Sequence, residues 1–232
     1  MFSECRAIGA NTVTKDFGPD AYNELYAYDY WGRNDPATVP YRRLFRRVAD
    51  IVRQNSIKSV LEVGCGSGVL AEMLIESGAD YHGFDFNSIA VEKAQTRNGI
   101  DKHYIADAID AASYAHDYDG IVCCEVLEHI NEDLQVIKLW KSGTFCVCSI
   151  PNFDYPTHVR FFRSESEVIE RYSKLLNIRK IERCAKSPAA VLTWSMYFRH
   201  LRWARNNPKR FVALLGINQF NWHGGWFIFT AT

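Results

Sequence analysis

The sequence lacks the features that define several protein classes. No apolar run reaches the roughly 20 residues that a membrane-spanning helix needs, and the first ten residues do not predict a signal peptide. Lys plus Arg and Asp plus Glu number 27 each, so no net charge draws the chain to nucleic acid or to an anionic membrane. Internal repeats and low-complexity tracts are also missing. We therefore predict one globular domain spanning all 232 residues.

The seven cysteines lack the paired spacing of a zinc finger. Most of them lie inside apolar stretches such as VCCEV and FCVCSI, where cysteine behaves as a small buried hydrophobic residue. An odd number of buried thiols is typical of a reducing compartment. The cysteines therefore predict a cytoplasmic protein without disulfides.

The charges are unevenly distributed along the chain. Residues 1–150 hold 14 basic and 22 acidic residues, whereas residues 151–232 hold 13 basic and 5 acidic residues. The final third is therefore suited to an anionic partner, such as a phosphorylated or carboxylated small molecule or RNA. A solvated basic face explains the same composition, and both interpretations stay open.

Strand-like and helix-like stretches alternate from residue 59 onward. The central strands are apolar on both faces, which is typical of a parallel sheet covered by helices on both sides. The pattern predicts a doubly wound α/β fold. We predict strands at residues 59–65, 81–86, 102–107, 118–126, 144–150, 178–184 and 226–230, and helices at residues 67–77, 88–97 and 164–176, with another helix capped by Asn131 and ending before Gly143.

Two segments interrupt this alternation. We predict a helical cap over residues 1–57, a core over 58–184, a lid-like helical insertion over 185–222 and the last strand over 223–232. Both flanking segments are rich in aromatic and basic residues that either cover the site or pack within a lid. These residues are Tyr26, Tyr28, Tyr30, Trp31 and Arg33 in the cap, and Trp194, Tyr197, Phe198, His200, Trp203 and Trp222 near the last strand.

A glycine-rich turn, VLEVGCGSG, follows the first predicted strand and opens a helix. Such a turn lets a ligand approach the backbone and presents free N–H groups at a helix N-terminus. No lysine follows the glycines, so the turn is not a phosphate loop of the GxxxxGK type. Val69 stands where a dinucleotide loop needs Gly or Ala.

The pattern E-x-G-x-G-x-G resembles motif I of the class I S-adenosylmethionine-dependent methyltransferases, and three further motifs follow in order up to residue 152. The resemblance implies a seven-stranded sheet with an antiparallel last strand. It also implies S-adenosylmethionine as cofactor and S-adenosylhomocysteine as product. The implied cofactor-binding residues are Glu62, Gly64, Cys65, Gly66, Gly68, Asp85, Phe86, Asn87, Asp107, Ala108 and Glu125.

Five of these residues have implied roles in the resemblance. Glu62 helps to hold the aminoacyl group, and Asp85, 21 residues after Gly64, accepts from both ribose hydroxyls. Asp107 accepts from the adenine amino group, and Phe86 and Asn87 flank the adenine.

The segment EVLEH after the fourth strand resembles motif IV of small-molecule O- and N-methyltransferases, including the ubiquinone-biosynthesis type. This resemblance implies a small-molecule acceptor. A hydroxyl acceptor needs a proton acceptor near neutral pH, and His129 is the best candidate, followed by His158. We expect a metal-free site in which His129 titrates near neutrality.

Two other functions stay open at this point. Glu125, Glu128, His129 and His158 are similar to the metal ligands of RNA 3′-terminal 2′-O-methyltransferases. The sequence favours the metal-free alternative because His158 lies 29 residues beyond His129 and EVLEH also occurs in metal-free relatives. The second alternative is a catalytically silent fold that serves as a binding module.

Overall fold

The computed structural model describes residues 19–29, 39–186 and 224–232, together with residues 198, 201, 202, 205 and 220. Within them, a seven-stranded sheet is flanked by helices. The strands are β1 (Ser59–Val63), β2 (Asp80–Asp85), β3 (His103–Ile105), β4 (Gly120–Cys124), β5 (Phe145–Pro151), β6 (Ile178–Ala185) and β7 (Gly225–Ala231). The helices are α1 (Asn23–Ala27), α2 (Val39–Gln54), α3 (Val69–Glu76), α4 (Ser88–Asn98), α5 (Asp133–Lys138) and α6 (Glu165–Tyr172), and short 3-10 helices span Pro19–Tyr22 and Ala111–Tyr114.

The strand order is β3-β2-β1-β4-β5-β7-β6. Strands β1 to β5 pair in parallel, and β7 is antiparallel to both β5 and β6. The predicted fold class is therefore confirmed, including the antiparallel last strand that the resemblance implied.

The two faces of the sheet belong to different hydrophobic clusters because successive strand residues point to opposite sides. Val60 packs with α2 and α3 on one face, whereas Leu61 packs with α5 and α6 on the other. Strands β4 and β5 are buried on both faces. This burial explains why their sequences are almost continuously apolar.

Helix α2 packs on the sheet and is part of its core. Its residues Leu44, Val48 and Val52 are at most 1% exposed. On its outer side, the Arg47 guanidinium donates two hydrogen bonds of 2.7 Å to the carboxylate of Glu182 in β6. Helix α2, which belongs to the predicted cap segment 1–57, thus packs on the core. Among the described residues before α2, the segment 19–29 lies over the edge of the sheet that carries the site.

Several element ends differ from the predictions because tertiary contacts decide them. Helix α5 begins at Asp133 with Glu132 as its N-cap, not with Asn131. The carbonyl of Asn131 accepts a hydrogen bond from Arg160, which holds this residue outside the helix. Ser164 caps α6 as predicted and accepts from the Glu167 N–H at 3.3 Å, although the helix ends at Tyr172.

The six described cysteines are free and buried, as predicted. In the part of the chain that the structure describes, no helix is long and apolar enough to cross a membrane. Most of the predicted lid residues lie outside the described residues. These are Tyr30, Trp31, Arg33, Trp194, Tyr197, His200, Trp203 and Trp222.

Candidate active site

The loops that follow β1, β2 and β4 meet where the strand order reverses between β1 and β4. In open α/β sheets this switch point, beyond the carboxyl ends of the strands, is where ligands bind. The loop after β1 holds the three glycines, β2 ends at Asp85, and the loop after β4 begins at Glu125. The topology thus brings together the residues that the sequence singled out.

Glycine is required at the two ends of the glycine loop. Gly64 and Gly68 have φ of 71° and 76°, which favour glycine. A Cβ on Gly64 would collide with Val126 Cγ2, and one on Gly68 would lie 2.9 Å from the Ala94 backbone in α4. The loop therefore packs directly on its neighbours. Val126 was missed by the sequence analysis because its apolar side chain carries no chemical signal.

Asp85 links the end of β2 to the glycine loop. Its Oδ2 accepts the Gly66 N–H at 3.0 Å, and its Oδ1 accepts the Asn87 N–H at 2.9 Å. Burial raises the pKa of Asp85 to about 6, although these backbone hydrogen bonds oppose the shift. The Phe86 backbone and the Tyr26 side chain also hydrogen-bond to Asp85, so a ligand that binds this carboxylate would have to replace one of these partners.

Glu62 lies behind the glycine loop, where it is 3% exposed. The Tyr81 hydroxyl donates to its Oε2 at 2.6 Å. Burial raises the pKa of Glu62 to about 8, which the hydrogen bond from Tyr81 partly opposes. Its implied contact with the aminoacyl group stays a prediction, and the contact that the structure shows is with β2.

The side chain of Asn87 is occupied by local structure. Its Oδ1 accepts the Ala90 N–H at 3.0 Å and caps α4, and its Nδ2 donates to Asn23 Oδ1 at 2.8 Å. Phe86 is half-buried and contacts the ring of Tyr22 edge-on, with 5.8 Å between centroids. The ring of Phe86 thus contacts the segment 19–29, and the contacts of Phe86 and Asn87 with adenine stay predictions.

Arg97 in α4 links the segment 19–29 to the glycine loop through hydrogen bonds to both. Arg97 donates from Nε to the Ser67 carbonyl at 2.8 Å and from Nη2 to Asp29 Oδ2 at 2.7 Å. The Tyr26 side chain hydrogen-bonds to Asp85, and its ring faces Gly66. Tyr26 is therefore buried against Asp85 and the glycine loop, whereas Tyr28 and Phe198 are exposed.

Asp107 lies two residues beyond β3 and is exposed. Its Oδ1 accepts the Ile109 N–H at 3.1 Å. Ala108 beside it is buried, and its carbonyl accepts from the Tyr114 hydroxyl at 2.8 Å. Asp107 thus lies at the same edge of the sheet as Asp85, and its contact with adenine stays a prediction.

The loops after β4 and β5 bring Glu128, His129 and His158 together. One ligand-type atom from each of these residues lies within 4.8 Å of the other two. The two imidazole rings meet edge-on with 4.9 Å between centroids. Glu125 opens this loop with a φ of 59°, a conformation that non-glycine residues rarely adopt.

Burial shifts the pKa values in this cluster. It lowers the pKa of His129 to about 4, assisted by the neighbouring His158, so the expected titration near neutrality is wrong. It raises the pKa of Glu125 to about 7 and that of Glu128 well above its usual range, with the Glu125 charge adding to the latter shift. At neutral pH His129 is therefore a neutral imidazole.

Backbone hydrogen bonds and one arginine hold the two loops together. The Val159 N–H donates to the Glu128 carbonyl at 2.8 Å. The Arg160 guanidinium donates to three carbonyls of the other loop, those of Leu127, Ile130 and Asn131. These hydrogen bonds hold the loop after β5 against the loop after β4, and they place His158 beside His129. The sequence analysis missed Arg160 because no local pattern marks it.

Arg160→Ala should destabilise the protein because it leaves three loop carbonyls without their shared charged donor. A loss of about 2 kcal/mol, which is typical of a hydrogen bond to a charged group, lowers the melting temperature by roughly 4–8 °C. A thermal melt followed by circular dichroism measures the change, with Arg179→Ala as a control because Arg179 is exposed on β6. Equal melting temperatures for the two variants would contradict this role of Arg160.

Two residues missed by the sequence analysis also lie at this end of the site. The Tyr22 hydroxyl is 3.2 Å from His129 Nδ1. The Lys186 ammonium lies 4.3 Å from the centre of the Phe153 ring, and burial lowers its pKa. Tyr22 precedes Tyr26 by one helical turn, and this spacing was the available signal.

A family model described as a methyltransferase domain matches residues 37–210, three quarters of the chain. Among curated proteins, a ubiquinone biosynthesis O-methyltransferase of Citrobacter koseri is 38% identical over 86 residues, covering 35% of this chain and 36% of its own length. One from Pectobacterium carotovorum is 36% identical over 95 residues, covering 37% and 40%. The chain thus spans little more than a third of the length of the curated relatives it matches.

Solved structures share the fold at low sequence identity. A magnesium protoporphyrin IX methyltransferase from Synechocystis PCC 6803 superposes with a TM-score of 0.63 at 13% identity, covering 92% of this chain and 97% of that one. The N-methyltransferase NodS from Bradyrhizobium japonicum superposes with a TM-score of 0.61 at 16% identity, covering 92% and 97%. Together with the family match, the switch-point site confirms the resemblance drawn from the sequence, and the chain belongs to the methyltransferase domain family.

Proposed function

We propose that the protein transfers a methyl group from S-adenosylmethionine to a hydroxyl oxygen of a small molecule. The observation that carries this proposal is the junction of Asp85 with the glycine loop, at the same edge of the sheet as the imidazole pair of His129 and His158. The Tyr22 ring contacts both Phe86, next to Asp85, and His129. One edge of the sheet thus combines a nucleoside-binding carboxylate with groups suited to a reacting acceptor.

The cofactor site fits S-adenosylmethionine in three respects. Asp85 presents a carboxylate to the ribose hydroxyls, and Phe86 offers a ring face for the adenine. The Tyr26 side chain uses one acceptor position of Asp85, which a bound ribose would take over. The backbone of Gly66 faces Tyr26, with no side chain of its own to exclude a ligand. Gly64, Cys65 and Gly68 are proposed to shape the loop rather than to contact the ligand through side chains.

When bound, S-adenosylmethionine supplies a sulfonium methyl group that an acceptor atom displaces in line. The protein then has two tasks, which are to align the acceptor and to receive its proton. His129 and His158 lie at the end of the site where a hydroxyl would bind. With a pKa of about 4, His129 alone is a weak base for a hydroxyl proton at neutral pH. The acceptor hydroxyl therefore needs further activation.

Oxygen is proposed as the acceptor atom because the curated relatives are named O-methyltransferases. A tritiated methyl donor with a panel of phenols, catechols and amines tests this proposal. Transfer to a hydroxyl compound supports it, and transfer only to amines contradicts it. The binding-module alternative predicts that no acceptor is methylated although the donor binds. The acidic residues at positions 62, 85 and 107 favour the enzyme, since the resemblance assigns each of them a contact with the methyl donor.

The basic final third is proposed to surround a small-molecule pocket rather than to bind RNA. Arg202 and Arg205 are exposed, and Arg199, Lys209 and Arg210 lie outside the described residues. We expect RNA to bind with a dissociation constant no tighter than about 10⁻⁶ M at physiological salt, the range of nonspecific binding. Fluorescence anisotropy with a labelled single-stranded RNA measures this constant. Sub-micromolar affinity at that salt would contradict the proposal.

A cytoplasmic location is proposed from the six described cysteines, which are free and buried. Thiols of this kind are typical of a reducing compartment.

A further inference from the structure

Lys186 follows the last residue of β6 and belongs to the basic final third of the chain. Strand β6 runs parallel to β5, because both are antiparallel to β7. The end of β6 therefore lies at the same edge of the sheet as the ends of β4 and β5, which carry the acceptor end of the site. From this place and its surroundings we propose that Lys186 binds an anionic group of the acceptor molecule, a carboxylate or a phosphate.

Three aromatic rings from separate elements hold the ammonium of Lys186. Its Nζ lies 4.3 Å from the centre of the Phe153 ring, 5.7 Å from that of Tyr41 and 6.0 Å from that of Trp226. Tyr41 belongs to α2, Phe153 to the loop after β5 and Trp226 to β7. The Lys186 N–H also donates to the Gly224 carbonyl at 2.8 Å, which fixes the backbone from which the side chain extends. The position of the charge is therefore set by the fold.

The N–H donors of this ammonium are available to a ligand. Among the described residues, Lys186 Nζ takes part in no hydrogen bond and in no ion pair. Ring faces attract a cation electrostatically, but an ammonium carries three N–H donors that they do not satisfy as oxygen acceptors do. Lys186 is half-buried, and burial lowers its pKa. An anion at this position compensates a charge that is partly removed from water.

Glu125 compensates only part of this charge. Its carboxylate acts on Lys186 from the end of β4 and raises the pKa of the lysine, against the effect of burial. Burial raises the pKa of Glu125 itself to about 7, and its side chain hydrogen-bonds to Ser149 and Glu128. A carboxyl group with this pKa is only partly ionised at neutral pH. The remaining positive charge of Lys186 can therefore attract an anionic ligand.

The Phe153 ring connects Lys186 to the imidazole pair. It contacts the His158 ring with 5.6 Å between centroids, and His158 in turn meets His129 at 4.9 Å. Because one ring contacts both Lys186 and His158, a small acceptor with its hydroxyl at the histidines can place an anionic substituent at Lys186. This inference rests on the proposed function, since it names the class of acceptor that the site takes.

Titrations of the full chain, followed by ligand-observed NMR in the presence of S-adenosylhomocysteine, test the inference. The anionic probes are p-hydroxybenzoate and hydroquinone monophosphate, and p-cresol is the neutral reference with the same ring and hydroxyl. At least one anion should bind the wild type about tenfold or more tightly than p-cresol, as a charge-assisted hydrogen bond predicts. The anion that shows this preference identifies the group as a carboxylate or a phosphate.

Lys186→Met should lose the preference for the anion and keep the affinity for p-cresol, whereas Lys186→Arg should retain the preference. Lys174→Met is the matched control and should behave as the wild type, because Lys174 is exposed before β6, at the opposite end of that strand. Lys186→Met should fold, since methionine keeps an unbranched stem against the rings, and a circular-dichroism melt checks this. If it does not fold, Lys186→Gln takes its place.

Two results would overturn the inference. One is that neither anion binds the wild type more tightly than p-cresol does. The other is that the preference survives in the folded Lys186→Met variant, which would leave Lys186 as a counter-charge of Glu125 alone. Methyl transfer to neutral hydroxyl compounds without any preference for anions overturns this inference alone. A preference that depends on Lys186, without methyl transfer to any acceptor, overturns the proposed function alone.

Discussion

Replacing His129 with alanine should lower the rate of methyl transfer by roughly 10²-fold, the low end of the usual contribution of a group that assists proton transfer, because burial already lowers the pKa of His129 to about 4. The affinity for S-adenosylmethionine should change little, because His129 lies at the acceptor end, with Tyr22 and His158 as ring neighbours. Steady-state kinetics with the methylated acceptor and calorimetric titration with S-adenosylhomocysteine measure the two quantities. His116→Ala, an exposed histidine, should match the wild type in both.

The pH dependence of the wild-type methyl-transfer rate provides a second readout. Because the pKa of His129 is lowered to about 4, its imidazole is already neutral above about pH 5. Protonation of His129 therefore should not lower the wild-type rate between pH 6 and 8, and any change there belongs to another group. Loss of cofactor affinity comparable to the loss of rate would contradict the placement of His129 at the acceptor end. Retention of full activity would contradict its participation altogether.

Asp85→Ala should weaken S-adenosylmethionine binding by about 10- to 100-fold, because charge-assisted hydrogen bonds are worth about 1.5–3 kcal/mol. The fold should persist, since the variant removes a buried carboxylate whose pKa is already raised to about 6 by burial. A calorimetric titration gives the affinity, and a circular-dichroism melt checks the fold. Asp101→Ala provides the control, because Asp101 is exposed before β3.

The same residue predicts a pH dependence of binding. The ribose hydroxyls donate to the ionised carboxylate, and the unliganded group becomes protonated below about pH 6. Affinity should therefore be constant above this pH and fall towards tenfold per unit below it, and Asp85→Ala should lose this dependence. Unchanged affinity in a folded Asp85→Ala variant would show that Asp85 is not the ribose ligand.

Residues whose roles depend on local backbone geometry were predictable from the sequence. The glycine loop needs positive φ at Gly64 and Gly68, and only a strand-turn-helix context explains glycines at that spacing. The order of strand ends then placed Asp85 beside the loop. The capping residue Ser164 was predictable for the same reason, since its side chain satisfies its own helix.

Features that depend on contacts distant in sequence were not predictable. The start of α5 is decided by Arg160, which lies 29 residues beyond Asn131. The lowered pKa of His129 results from burial under the cap and from His158 beside it, which no pattern in EVLEH reveals. The pairing of Glu62 with Tyr81 likewise requires the register of β1 on β2. A single sequence indicates which groups are available for chemistry, but their surroundings follow from the packing.

The most direct test of the proposed function is a calorimetric titration of the protein with S-adenosylmethionine and with S-adenosylhomocysteine. The site predicts saturable binding of both ligands with one molecule per chain, and weaker binding of both to Asp85→Ala than to Asp101→Ala. No saturable binding of either ligand to the folded wild-type protein would contradict the assignment of the switch-point site as a methyl-donor site.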